Sequence, residues 1–82
     1  MENYDVKVGQ TMDLVNEGLG KYKDLGVSVR FKKGTNEYQF IFLNANDDEI
    51  GGYGITDFFF EDEKNTPAEF ASGILNSLSV LL

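Results

Sequence analysis

Two neighbouring runs of alternating side chains constrain the fold of this chain more than any other feature. Apolar side chains stand at every second position in both runs: Val27, Val29 and Phe31 in the first, and Tyr38, Phe40 and Phe42 in the second. A period of two is typical of a β-strand with one buried face. Turn-forming residues at 33–36 separate the runs. The sequence therefore predicts an antiparallel hairpin with strands over 27–33 and 37–43.

A third extended run follows an acidic turn and passes through Tyr53 and Ile55 to three consecutive phenylalanines at 58–60. Continuous apolar character is typical of a strand that is buried on both faces. We therefore expect Phe58, Phe59 and Phe60 to end a third, buried strand. The three strands should form an antiparallel meander.

The segment Thr66-Pro67-Ala68-Glu69 is the clearest helix start in the chain. Thr at the cap, Pro at the first helical position and Glu three residues after the cap form a capping box. The helix is therefore predicted to start at Pro67. Its apolar stripe is expected to pack on the sheet, and it comprises Phe70, Ile74, Leu78 and Leu81, widened by Ala71, Leu75 and Leu82.

A first helix is predicted over residues 10–24, because apolar residues recur there at steps of four and three: Val8, Met12, Val15, Leu19 and Tyr22. Residues 3–8 also alternate, so they form a short strand before a cap at Thr11 or extend the helix. Gly18 and Gly20 either allow close packing on a sheet or leave the helix weak.

The element order is αβββα, and we expect residues 1–82 to form a single α+β domain with a three-stranded antiparallel sheet. If both helices cover the same face, the other face exposes apolar side chains that often mark dimer contacts. The strand residues in question are Ile41, Leu43, Phe58 and Phe60. In the other interpretation, the N-terminal segment or a split helix arrangement covers them.

The composition lacks the residue types that enzymes use most often for catalysis. His and Cys are absent, which removes the commonest general base, the thiol nucleophile and most zinc sites. The oxygen-rich segment 44–51 fails the calcium-loop spacing, because Glu49 occupies the glycine position and Ile55 the bidentate glutamate position. Gly51–Gly54 lacks the Lys and the following helix of a phosphate loop. We expect no enzyme activity, no cofactor and no metal.

Charge is distributed unequally along the chain. Residues 34–82 carry nine acidic side chains and only Lys64 as a cation, whereas residues 1–33 carry five acidic and six basic ones. The net charge of −7 repels phosphate and anionic lipid, so we expect neither direct nucleic-acid binding nor membrane binding. A basic protein surface is the expected partner.

Two other features bear on this interpretation. The double-stranded RNA-binding domain shares the αβββα order, but acidic residues 61–63 stand where its last helix needs cations. The segment 1–5 lacks the basic and apolar regions of a signal peptide, and no apolar run is long enough to span a bilayer. We therefore expect a cytoplasmic protein.

The candidate binding residues fall into two acidic clusters: Asp47, Asp48 and Glu49 before the third strand, and Asp57, Glu61, Asp62 and Glu63 around its end. Residues 61–63 of the second cluster also precede the last helix, where negative charge interacts favourably with the positive end of the helix dipole. Carboxylates two residues apart on a strand lie about 6 to 7 Å apart, which is similar to neighbouring phosphates.

In size, charge and element order, the whole chain resembles the small acidic DNA-mimicking inhibitors of phages, including anti-CRISPR proteins that block the DNA-binding cleft of a CRISPR nuclease. The resemblance implies a non-enzymatic inhibitor that occupies a basic surface, such as that of a nucleic-acid-binding protein. The alternative is a dimeric or subunit-type interaction protein that uses an apolar sheet face.

Overall fold

The computed structural model describes residues 4–82. A 3₁₀ helix over Leu19–Leu25 follows the first α-helix, and the other elements are α1 (Tyr4–Gly18), β1 (Ser28–Lys33), β2 (Glu37–Leu43), β3 (Glu49–Thr56), α2 (Asp57–Glu61) and α3 (Pro67–Leu81). The α+β class is confirmed, with a three-stranded antiparallel sheet between N-terminal and C-terminal helices.

The sheet is a meander in the order β1-β2-β3, so β2 is central and both other strands are edges. The predicted hairpin forms with Phe31 opposite Phe40, and β3 pairs on the other side of β2 with Ile55 opposite Tyr38. The register shifts between Phe42 and Leu43. This irregularity immediately precedes the acidic loop that joins β2 to β3.

The core lies between one face of the sheet and the two long helices. The fully buried side chains come from α1, β2, α2 and α3, and they include Val15, Phe40, Phe42, Phe60, Ile74 and Leu78. Helices α1 and α3 contact each other and both lie on this face. Within the described part of the chain, no helix therefore covers the opposite face of the sheet.

The prediction that Phe58, Phe59 and Phe60 end a buried strand is wrong. Strand β3 stops at Thr56 because the Thr56 hydroxyl accepts a hydrogen bond from the Phe59 N–H at 3.3 Å and caps the short helix α2. In a strand, Phe58 and Phe60 would share one face, whereas in a helix residues two apart point in nearly opposite directions. Phe60 is fully buried, whereas Phe58 is 86% exposed and Phe59 is 54% exposed.

Helix α1 begins earlier than predicted, since residues 4–8 are helical; of the ambiguous segment 3–8, only residue 3 lies outside the described part. Thr11 is no cap, because its hydroxyl donates to the Lys7 carbonyl at 2.8 Å within the helix. At Gly18 the helix lies against Leu75 of α3, and a Cβ atom there would have to displace the end of the Leu75 side chain. The close neighbour at Gly18 is therefore helix α3, and not the sheet that the prediction named.

The start of α3 is confirmed in detail. The Thr66 hydroxyl accepts from the Glu69 N–H at 3.3 Å, and the Glu69 carboxylate accepts from the Thr66 N–H at 2.9 Å. The predicted stripe is buried at Phe70, Ile74 and Leu78. It does not continue to the end of the helix, because Leu81 is 49% exposed.

Candidate functional site: acidic clusters at the two ends of strand β3

The loop between β2 and β3 is organised by the side chain of Asn44. Its Oδ1 accepts hydrogen bonds from the N–H of Asn46 at 2.9 Å and from the N–H of Asp48 at 3.0 Å. Two backbone bonds of 2.9 Å close the same turn, from the Asp47 N–H to the Asn44 carbonyl and from the Asn44 N–H to the Asp48 carbonyl. The loop backbone therefore has a defined shape.

This turn determines how the first acidic cluster is presented. Asp47 adopts a left-handed backbone with φ 64°, a conformation that Asp and Asn tolerate better than other residues with a side chain. The side chains of Asp47, Asp48 and Glu49 are exposed. Among residues 4–82, no hydrogen bond or ion pair involves their carboxylates. The loop therefore presents consecutive negative charges to solvent.

The second cluster is different, because two of its carboxylates attach α2 to the sheet. Lys33 Nζ lies 3.0 Å from Asp57 Oδ1 and donates to Oδ2 at 3.1 Å. The Tyr38 hydroxyl donates to Glu61 Oε2 at 2.7 Å. Asp57 and Glu61 thus contribute to the fold, and their charge is partly neutralised or hydrogen-bonded within it.

Asp62 and Glu63 complete the second cluster. Asp62 Oδ1 accepts from the N–H of Lys64 at 2.9 Å, and the Asp62 carbonyl accepts from Lys7 Nζ at 3.0 Å. The same Lys7 ammonium lies 5.4 Å from the centroid of the Phe60 ring. Glu63 is exposed at the rim of a shallow depression. Glu63 is therefore the member of this cluster with the least structural involvement.

The structure does not bring the two clusters together. They lie at opposite ends of β3, whose eight residues span about 25 Å at about 3.3 Å per residue. The longest dimension of the molecule is 37 Å. Asp47 and Glu49 are two residues apart but are joined by a turn instead of an extended strand. The seven predicted residues therefore form two poles and not one row of phosphate-like charges.

The uncovered face of the sheet is mainly polar. It carries Arg30 and Lys32 from β1, both exposed, and Ile41 from β2, which is half-buried. Leu43 is buried. Among residues 4–82, the sheet does not carry the large apolar patch that the dimer hypothesis places there, because the exposed phenylalanines belong to α2.

Sequence reasoning missed the exposed aromatic pair Phe58 and Phe59. The signal that could have revealed it is Thr56 followed by Asp57, since a Thr cap with an acidic first helical residue is typical of a helix start. The phenylalanine run concealed this signal, because three consecutive aromatic residues favour a strand.

Two other kinds of feature, a metal site and a membrane-spanning helix, are not found in the described part of the chain. Residues 4–82 contain no group of three acidic side chains placed to hold a metal ion. In the same range, no helix combines the length and apolar character needed to span a bilayer.

Comparison with known proteins gives no match to a family model, a curated protein or a solved structure. The assignment of a function therefore depends on the geometry of the two poles and of the strand between them.

Proposed function

We propose that this protein is a non-enzymatic acidic binding module that presents its β2–β3 loop to a basic surface of another protein. The difference between the two acidic clusters carries the proposal. The carboxylates of Asp47, Asp48 and Glu49 are exposed and unpaired among residues 4–82. In the second cluster, Asp57, Glu61 and Asp62 already accept hydrogen bonds within the fold.

Unpaired surface charges are suited to recognition. They attract Arg and Lys side chains over about 10 Å at an ionic strength of about 0.1 M, and they accelerate association more than they increase the final affinity. The Asn44 hydrogen bonds add preorganisation, because an ordered loop loses less conformational entropy when it binds.

The class of partner follows from the same chemistry. Proteins that bind nucleic acid contact phosphates mainly through Arg and Lys, and such a surface also accepts a compact group of carboxylates. The more specific proposal is therefore an inhibitor that competes with nucleic acid for this surface. Phosphate-like spacing along a strand does not support it, since the unpaired carboxylates lie on a turn.

A neutralised loop variant tests the proposal: Asp47→Asn, Asp48→Asn and Glu49→Gln. Asn is chosen at position 47 because it also tolerates the left-handed backbone. The matched control, Asp13→Asn, Glu17→Gln and Asp24→Asn, removes the same charge from exposed positions elsewhere. Both variants should unfold at the same urea concentration as the wild-type protein, within about 0.5 kcal/mol of stability.

Each immobilised protein is then used to capture partners from an extract of the cells that produce it. At about 0.1 M salt, we expect the wild-type protein and the control to retain basic proteins that the loop variant does not retain. Salt at about 1 M should release them, because the Debye length falls to about 3 Å. Excess duplex DNA should also release them if the occupied surface binds nucleic acid. Equal capture by all three proteins, unaffected by salt, would contradict the proposal.

A further inference from the structure

Strand β3 has an unpaired edge that begins beside the acidic loop. The sheet order places β3 outermost, with β2 as its only strand neighbour among residues 4–82. No backbone hydrogen bond joins β3 to another element of the described chain on its outward side. In a strand of eight residues, alternate backbone groups point away from β2 and remain available.

Beyond Glu49 at its start, the sequence of β3 lacks the charged residues and Pro that usually protect an edge. Natural edge strands carry charged residues or Pro, which discourage pairing with another chain. The other edge of this sheet, β1, carries Arg30, Lys32 and Lys33. From Ile50 to Thr56, β3 contains neither a charged residue nor Pro.

The glycines of β3 leave room for the side chains of an added strand. Gly52 and Gly54 are exposed and lie opposite Ile41 and Gln39 on the face of the sheet that no helix of residues 4–82 covers. Side chains stand roughly perpendicular to a sheet, so on this face no side chain of residues 52 and 54 competes with those of a strand added at the usual spacing of about 4.8 Å.

We infer that β3 binds an extended segment of a basic partner protein by strand addition, with cationic side chains at the end of the segment that lies beside the loop cluster at 47–49. This inference rests on the proposed function and adds the conformation of the partner. The α2 cluster is not part of this surface, because Asp57 pairs with Lys33 of β1 and Glu61 accepts from Tyr38 of β2. The eight residues of β3, about 25 Å long, correspond to about eight extended residues of the segment.

Charge favours such a segment over a second copy of this chain. Pairing of two β3 strands would bring two copies of this chain together edge to edge. Each copy carries a net charge of −7, and like charges placed in juxtaposition oppose association. A segment with a cationic end beside the loop has the complementary charge.

The probe is a fluorescent peptide about nine residues long, with alternating Val and Thr and two Arg at each end, so that a cationic end lies beside the loop in either strand direction. Its control has the same sequence with N-methylated backbone nitrogens, which keeps the charge but removes the strand donors. We expect the control to bind at least roughly tenfold more weakly. Hydrogen exchange of the wild-type protein should slow at outward N–H groups of residues 50–55 when the first peptide binds.

A protein variant provides an independent test. Gly54→Lys places a cation on the edge strand, which discourages pairing with another chain. The nearest atoms to the new Cβ belong to the end of the Glu37 side chain, which can move. Gly20→Lys is the matched control, because nothing lies within 4 Å of a Cβ at Gly20. Peptide affinity should fall in the Gly54→Lys variant and remain within about twofold of wild type in the control.

The outcomes separate this inference from the proposed function. Equal binding of the N-methylated peptide, without protection of β3, would overturn strand addition, even if the neutralised loop still abolishes partner capture. Protection of β3 by the peptide, with partner capture insensitive to salt and to the loop variant, would retain strand addition and reject the acidic loop as the binding determinant. A dimer detected by sedimentation, with β3 protected in the absence of peptide, would overturn the choice of a basic segment.

Discussion

Replacement of Phe60 by Ala tests the most consequential difference between the predicted third strand and the observed helix α2. Phe60 is fully buried and stacks between Tyr38, with ring centroids 4.1 Å apart, and Phe70, at 4.7 Å. Truncation of a buried Phe to Ala costs about 3 to 5 kcal/mol. Because two aromatic contacts are lost, we expect about 4 kcal/mol.

That loss is large for a chain of this size. At about 0.05 to 0.15 kcal/mol per residue, the free energy of unfolding is roughly 4 to 12 kcal/mol. The melting temperature should fall by roughly 15 to 30 °C, since each kcal/mol corresponds to about 4 to 8 °C in small domains. The Phe60→Leu variant retains part of the buried volume and should lose less, which keeps the comparison measurable if the Ala variant does not fold.

Phe58→Ala is the matched control, two residues away and of the same type. Phe58 is 86% exposed, so its truncation should change stability by no more than about 0.5 kcal/mol. Urea denaturation followed by circular dichroism measures both variants. A similar loss at positions 58 and 60, or a loss below about 1 kcal/mol at Phe60, would refute the arrangement in which α2 buries one phenylalanine of three.

Three further predictions concern the caps and the acidic loop. Thr66→Ala removes the capping box of α3 and should lower the free energy of unfolding in urea by about 1 kcal/mol, while Thr66→Ser should retain most of it. Gly26→Ala should destabilise by about 1 kcal/mol or more, because Gly26 has φ 68° and a Cβ there would lie 2.8 Å from that of Ala45; Gly20→Ala, in open space, should show no such loss in the same assay. Asn44→Ala removes both side-chain hydrogen bonds of the loop, so hydrogen exchange at the N–H groups of Asn46 and Asp48 should accelerate, and capture of basic proteins should weaken although the carboxylates are intact.

The hairpin and the last helix could be predicted because their determinants are local. Alternation over 27–43 specifies a buried face residue by residue, and the Thr66 capping box needs only four consecutive positions. Helix α2 could not be predicted from local hydrophobicity. Three consecutive phenylalanines are equally compatible with a buried strand. The helical conformation is selected by long-range contacts, because it allows Phe60 to stack on Tyr38 and Phe70 in the core.

The sequence by itself determined the order of the three strands and the two long helices, and the excess of acidic residues in the second half of the chain. Only the tertiary structure decided which of those carboxylates remain unpaired. Lys33 and Asp57 are 24 residues apart, and Tyr38 and Glu61 are 23 apart. Contacts over such separations form because the chain folds back on itself, so charge composition cannot reveal them. The loop at Asp47, Asp48 and Glu49 retains its exposed charge because no cation of the described fold reaches it.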